Sequence, residues 1–390
     1  MKNRMILIGI FTSLFLLITS TLLVWFMYSK QSSPNLTEYP IQEHLTKKQR
    51  ISTKDFKSTA TLTAVGDVLI HSLVYDAAKT ANGFDFTPML AEVKPYLEKA
   101  DLTIANQETM IGGEEIGLST YPSFNSPYEV ASALQDSGVD IVSIANNHTL
   151  DRGEKALQNA TAFYNKIGMP YTGGYHSEED SKLIRTLKRN GITFSFLAYT
   201  YGTNGIPVPE GKPYLVNLID MSKISKEIQQ AKELSDVVVV SLHFGNEYQR
   251  MPSDEQKQMA KDVVGFGADI ILGHHPHVLQ PMEWVEAENG HNGFVAYSLG
   301  NFLSSQKSIY REIGGVLTLS INKEISNGVT SITIDNPEFI STYVSKAHRY
   351  KVVPLKNASE YGLAEATALY QDIDNHMFQL LPESQVAQAK

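Results

Sequence analysis

The sequence predicts an α/β domain on a largely parallel or mixed sheet, preceded by one membrane-crossing helix, and three observations carry this expectation. Short β-branched or apolar runs recur from Thr59 onward and end in polar residues. Helical patterns separate several of them, and residues 5 to 28, MILIGIFTSLFLLITSTLLVWFMY, carry no charge. Apolar runs without strict alternation, spaced by helices, are strands covered on both faces. Sheets of this kind collect their functional residues at the strand C-termini.

At a rise of about 1.5 Å per residue the uncharged stretch is long enough to cross a hydrocarbon core of about 30 Å. A cleavable signal peptide has a shorter apolar core, roughly 7 to 15 residues, and a small-x-small cleavage site, which is not evident here. An uncleaved anchor is therefore expected. Lys2 and Arg4 precede the span and Lys30 follows it, which puts the N-terminus in the cytoplasm and the main domain outside, with Trp25 and Tyr28 at the outer interface. Residues 29 to 57 are polar, without sustained periodicity, and read as an extracytoplasmic stalk. Residues 1 to 57 hold eight Lys and Arg against three Asp and Glu, leaving 25 against 39 in the remainder. The main body is thus acidic, and nucleic acid is not an expected partner because no basic field draws it in. The cluster Lys47, Lys48, Arg50, Lys54 and Lys57 reads as a solvated stalk, with an anionic membrane or wall surface as the alternative. The chain has no cysteine, which excludes disulfides, thiolate zinc sites and a cysteine nucleophile together. Any metal must be held by histidine, asparagine and carboxylates.

Within the domain the expected strands are TATLTAVGD, ADLTIANQE, VDIVSIANNH, TFSFLAYT, DVVVVSLHFG, ADIILGHHPH and GFVAYSLGN. Helices are expected over YEVASALQDSG, EKALQNATAFYNKIG, ISKEIQQAKELSD and SDEQKQMAKDVVGFGAD. Ser253, three residues before Gln256, forms a capping-box pattern that starts the last of these, and Gly138, Gly168 and Gly267 stand where helices end. The segments GGVLTLSINK and GVTSITIDNPEFI alternate with hairpin-like spacing and are expected to form a second, antiparallel sheet. From about residue 358 the chain reads as a helical tail. The resulting division is 1–28 anchor, 29–57 stalk, 58–357 main domain with its core in 58–320, and 358–390 tail.

Polar residues stand at each strand end: Asp67 with His71, Glu108, Asn147 with His148, His243, and then His274, His275 and His277, three of the chain's eleven histidines within four positions. Taken singly, each has an ordinary explanation as a turn residue, a cap or a satisfied core histidine. Their joint occurrence, about 40 residues apart over the first three, matches the spacing of parallel βαβ units, which bring neighbouring strand ends together. Carboxylate, carboxamide and imidazole form a ligand set for Zn²⁺, Mn²⁺ or Fe.

The ordered segments AVGDVLIH, ANQET, SIANNHTLDRG, SLHFGNEY, GHHPHVLQPME and AYSLGNF resemble the CapA family of bacterial poly-γ-glutamate capsule biosynthesis proteins, itself similar to the calcineurin-like metallophosphoesterases. The resemblance implies a calcineurin-like α/β/β/α sandwich of two mixed sheets with one or two divalent metal ions, Mn, Zn or Fe, at the strand ends. It also implies Asp67 on the first metal, Glu108 as the bridging carboxylate, Asn147 and His243 on the second metal, and His275 and His277 as closing ligands. His148 would lie near the leaving group as the catalytic acid, and His274 would be a supporting or turn residue. Phosphoesterases open with D-x-H, whereas position 69 here is Leu and the nearest histidine is His71, so one-metal and two-metal sites both stay open. Glu247, Asn301, His71 and Arg152 are candidates for supporting the ligands or touching substrate, Arg152 with a surface salt bridge as its alternative. The implied role is membrane-anchored and extracytoplasmic, in synthesis or export of an anionic poly-γ-glutamate-like polymer beside membrane synthase or export subunits. A non-catalytic accessory of the synthase and a general surface metallophosphoesterase are the alternatives.

Overall fold

The computed structural model describes residues 19–22, 25 and 55–382. Two units divide the chain, 1–52 and 53–390. In the first, residues 19–22 and 25 are helical, and the rest of the expected span and nearly all of the expected stalk lie outside the described residues. Among the described residues no helix is long and apolar enough to cross a membrane.

The strands of the second unit are β1 (Phe56–Leu69), β2 (Lys79–Thr80), β3 (Gly83–Phe84), β4 (Leu102–Gln107), β5 (Ile141–Ser143), β6 (Tyr171–Thr172), β7 (Arg185–Arg189), β8 (Ile192–Thr200), β9 (Val237–His243), β10 (Ile270–His274), β11 (Leu279–Glu286), β12 (Asn292–Leu299), β13 (Asn301–Ser304), β14 (Ile313–Ser326), β15 (Val329–Ser345) and β16 (Lys351–Pro354). Its longer helices are α1 (Glu129–Asp136), α2 (Gly153–Ile167), α3 (Met221–Leu234), α4 (Asp254–Phe266) and α5 (Ala366–Phe378). The expected capping box is present at α4, where Ser253 accepts from the Gln256 amide and the Gln256 side chain accepts from the Ser253 amide. Gly168 and Gly267 close α2 and α4 in the left-handed region, which a glycine enters without a Cβ clash.

One sheet runs β16-β15-β14-β1-β4-β5-β6 with β13 against β1, and the other runs β11-β12-β10-β9-β8-β7. The β1-β4-β5-β6 and β8-β9-β10-β12 neighbours are parallel. The alternation of each parallel strand sorts its residues into layers. Val237 and Val239 of β9 join Leu62, Leu102, Phe194, Phe196, Ile270 and Phe294 in a core between the sheets. Val238, Val240 and Leu242 face the other way, onto Ile224 and Ile228 of α3 and Val263 and Val264 of α4. On the far side, Val65, Ala105 and Val142 pack with Val130 and Leu134 of α1 and Leu157 and Ala160 of α2. The order is therefore helix, sheet, sheet, helix.

Two expectations are corrected. The alternating segments 314–323 and 328–340 do not make a separate sheet, because β14 pairs antiparallel with β1 from Phe56↔Ile325 to Val65↔Val316 and so extends the first sheet. The free edge of β1 opposite β4 offers unpaired backbone groups that β14 satisfies. The second sheet is drawn instead from segments between 185 and 299. The strand at Phe56 also begins inside the expected stalk. The helix expected in the tail is present, and its Ile373, Met377 and Phe378 are buried in the core between the sheets.

The chain crosses from one sheet to the other between β12 and β13, and small residues permit it. A Cβ on Gly66 would stand 2.0 Å from the Gly300 carbonyl oxygen, and one on Gly273 2.0 Å from that of Tyr297. Gly300 itself has φ +64. The Asp67 amide donates to the Gly300 carbonyl at 2.8 Å, so the C-terminal end of β1 is fastened to the point where the second sheet hands over to the first. This crossing puts strand ends of both sheets side by side.

Candidate metal centre

Asp67 stands near the C-terminal end of β1, paired with both Asn106 and Asn301, and is fully buried. Asn106, its Cα partner on β4, donates to Asp67 Oδ1 at 2.8 Å. The other oxygen lies 3.2 Å from His277 Nδ1, and His274 Nδ1 stands 3.3 Å from Oδ1. Glu108 follows the last residue of β4, and both of its oxygens are buried without a hydrogen-bond donor. Oε1 lies 3.6 Å from His243 Nε2 and 3.7 Å from His277 Nε2. Asn147, after β5, places Oδ1 2.8 Å from His243 Nε2 and donates through Nδ2 to Asn204 at 3.1 Å. Glu108 thus stands between Asp67 and His277 on one side and Asn147 and His243 on the other.

His275 and His277 flank Pro276 with φ of +98 and +57. Such backbone costs about 1–3 kcal/mol per residue outside glycine and persists where the surroundings impose it. Both imidazoles are buried, 6.1 Å apart between ring centroids, and His275 is 4.9 Å from His243. Asn301 Oδ1 lies 3.1 Å from His277 Nδ1, while the Asn301 amide group donates to the Arg311 carbonyl at 2.8 Å. With Nδ1 oriented by that carboxamide, Nε2 is the His277 nitrogen left for a ligand bond, the arrangement by which supporting residues fix metal-binding histidines. Exposed Glu247 also offers an oxygen that shares a ligand-sized space with His275 and His277, as Asp67 and Glu108 do with His277.

The electrostatics agree with the geometry. Burial pushes the Glu108 carboxyl well above the usual carboxylate range. Burial would raise Asp67 as well, but His274 and His277 outweigh it and hold Asp67 well below its ordinary value. His277 is pushed up to about 9 because the Glu108 and Asp67 charges overcome its burial. Burial lowers His243 well below the ordinary imidazole value and takes His275 to about 3. A buried carboxyl group without donors, beside His243 and His275 that prefer to be neutral and a His277 kept protonated by the carboxylate charges around it, is what a cation completes. The residues fit a divalent ion, and imidazole, carboxylate and carboxamide donors suit Zn²⁺, Mn²⁺ or Fe.

Around this group stand further residues, some held by close sequence neighbours and some by distant ones. His148 Nδ1 is 2.7 Å from Asp151 Oδ2, so the carboxylate acceptor assigns the Nδ1 proton and leaves Nε2 as the second working nitrogen. Phe124 meets His148 and His71 edge-on at 4.8 and 5.1 Å. His71 takes no place among the ligand groups: its Nδ1 lies 3.0 Å from the Leu69 carbonyl, and burial lowers it to about 4. Tyr201, half exposed, lies 4.7 Å from His275 and parallel to His243 at 6.5 Å. It walls a cleft of about 400 Å³ that continues past Phe244, Asn246 and Met259. The Arg152 guanidinium donates to the Ile116 and Gly117 carbonyls at 2.8 and 3.1 Å and to Ser119 Oγ at 2.6 Å, so it clamps a loop, and among the described residues it forms no salt bridge. Tyr201, Asp151, Asn106 and Phe124 were not singled out from the sequence; the signals available were that Asp151 lies within SIANNHTLDRG and Asn106 within ANQET.

Residues 61–306, more than half of the chain, match the model of the family described as bacterial capsule synthesis protein PGA_cap. The "Capsule biosynthesis protein CapA" of Bacillus anthracis is 30% identical over 256 residues, 63% of this chain and 60% of that protein. The "PGA biosynthesis protein CapA" of Bacillus subtilis (strain 168) is 31% identical over 252 residues, 62% of each. The matched region thus spans about three fifths of those relatives' length. Among solved structures, the calcineurin-like phosphoesterase YfkN from Bacillus subtilis aligns at TM-score 0.41 and 18% identity, covering 72% of this chain and 91% of that one. Haemophilus influenzae NAD nucleotidase (NadN) aligns at TM-score 0.44 and 13% identity, covering 81% and 63%. The matched residues include every strand end that meets at Glu108, and the chain belongs to the bacterial capsule synthesis protein family PGA_cap.

Proposed function

We propose that this chain is a membrane-anchored, extracytoplasmic capsule biosynthesis protein that works on an anionic, poly-γ-glutamate-like polymer at a centre of one or two divalent ions, beside membrane synthase or export subunits. The observation that carries the reading is Glu108, whose two buried oxygens lack donors while His243 and His277 bring imidazole nitrogens to 3.6 and 3.7 Å from it and Asn147 sets its carboxamide oxygen against the same His243 nitrogen. Family membership supports the capsule role, and the name of the Bacillus subtilis relative supports the polymer. The uncharged stretch 5–28 supports the anchor.

Asp67, Glu108, Asn147, His243, His275 and His277 would hold the metal. A bound divalent ion supplies Lewis acidity and a more acidic water, with a pKa toward about 7, for cleavage or transfer at an amide or phosphoester. His148, held through Nδ1 by Asp151, carries a proton at Nε2 for the leaving group. Tyr201 shields the imidazoles from bulk water, and the adjoining cleft receives the extended chain.

Asp67→Ala, Asn147→Ala and His277→Ala, each in the full chain, test the reading through bound metal and polymer output in cells. Each is expected to cut metal affinity roughly ten- to a hundredfold or more and to abolish polymer. Normal polymer from all three would reject a metal-dependent role. Lost polymer with no turnover of phosphodiesters or γ-glutamyl amides by the metal-loaded wild type would select the accessory role.

A further inference from the structure

Two arginines near the rim of the centre stack on tyrosines, and only one of them has an acid to pair with. Arg250 lies 4.0 Å from the Tyr310 ring centre and also pairs with Asp372 at 3.1 Å. Arg311 lies 4.3 Å from the Tyr248 ring centre, and among the described residues it makes no ion pair. Tyr248, on the other side, is 6.2 Å from the His277 ring. Its backbone is held at φ +67, with its amide donating to the Pro276 carbonyl at 2.8 Å. The Arg311 backbone is tied to the same histidine from another direction: Asn301 donates to the Arg311 carbonyl and presents its own oxygen to His277 Nδ1. A cation is thereby fixed at the mouth of the centre by both its backbone and its side chain.

We propose that Arg311 is a substrate-binding residue that grips a carboxylate of the anionic polymer next to the unit being processed at the metal. Arg311 also hydrogen-bonds the Tyr248 side chain, and the in-plane N–H groups that this leaves have a spacing that matches a carboxylate's two oxygens. In an acidic domain this unpaired charge also offsets the repulsion that a polyanion meets on approach. The assignment places the substrate carboxylate with Arg311, since Arg152 spends three of its five N–H groups on its own loop. This inference rests on the polymer reading above.

The test is calorimetric titration of a γ-linked glutamate hexamer into the full-length, Mn²⁺-loaded protein, with metal content and melting temperature measured on each variant. Arg311→Gln is expected to weaken hexamer binding roughly ten- to hundredfold, the span of a charge-assisted pair, at unchanged metal content. Arg311→Lys, which keeps the charge and loses the planar fork, is expected to fall between Gln and wild type and to guard against a folding defect in the Gln variant. Equal hexamer affinity in wild type and folded Arg311→Gln overturns the clamp while leaving the polymer reading standing. A wild type that binds metal but no hexamer overturns both.

Discussion

Glu108 is the residue on which the centre turns, because both of its carboxyl oxygens are buried without a hydrogen-bond donor. Its carboxyl is raised by burial and so favours the neutral form, which Gln imitates in shape. Glu108→Gln is therefore expected to lower metal affinity at least about tenfold while leaving the metal-free melting temperature within a few degrees of wild type. Melting curves with and without chelator, beside metal analysis, check both halves; a large loss of metal-free stability would show that the carboxylate serves the fold and not an ion. His148 and Asp151 make a separate pair beside it. Asp151→Asn removes the carboxylate that orients Nδ1 and is expected to reduce turnover by roughly a hundredfold with metal content unchanged. The ligand candidates at the strand ends were legible in the sequence because each stands at the end of an apolar run. Asp151, Tyr201 and Asn106 were not: their part depends on contacts such as Asn106 to Asp67, which only the β1–β4 pairing creates.

At the scale of elements, the site exists because β10 and β12 run close enough for Gly273 to face the Tyr297 carbonyl. Gly273→Ala would place a Cβ 2.0 Å from that oxygen. The expected outcome is a loss of about 3 kcal/mol or more, read from a denaturant midpoint, with reduced metal binding because His275 and His277 follow directly on β10. Alternation in 314–323 and 328–340 correctly marked strands, yet it reports only which face of a strand is buried and says nothing of which sheet edge receives it. The open edge of β1 made that choice. The helices were more legible, since the Ser253 and Gln256 cap is a local device whose residues are three apart.

For the whole molecule, the four-layer order places one core between the sheets and one under each helical layer. Met377 and Phe378 of α5 help to fill the middle core, so Met377→Ala is expected to cost about 2–5 kcal/mol, although the residue lies far along the chain from the site. Acid stability is expected to depend in part on Asp180. Burial by itself would raise its carboxyl, but the His176 amide, the Tyr171 hydroxyl and the Arg185 guanidinium lower it below its ordinary value. A depressed carboxylate contributes stability that is complete above the unfolded value of about 3.9 and is lost as pH falls through the lower folded value. Asp180→Asn is thus expected to be less stable than wild type at pH 7, with the gap closing as pH falls below about 4; a gap independent of pH would contradict this.

The most direct measurement of the central claim is an anomalous-scattering map from crystals of the protein grown with Zn²⁺ or Mn²⁺. The account predicts a peak bonded at about 2.0–2.2 Å to a Glu108 oxygen and to Nε2 of His243 or His277. A clean map with no peak there, and Glu108 neutralised by a side chain or by water instead, would contradict it.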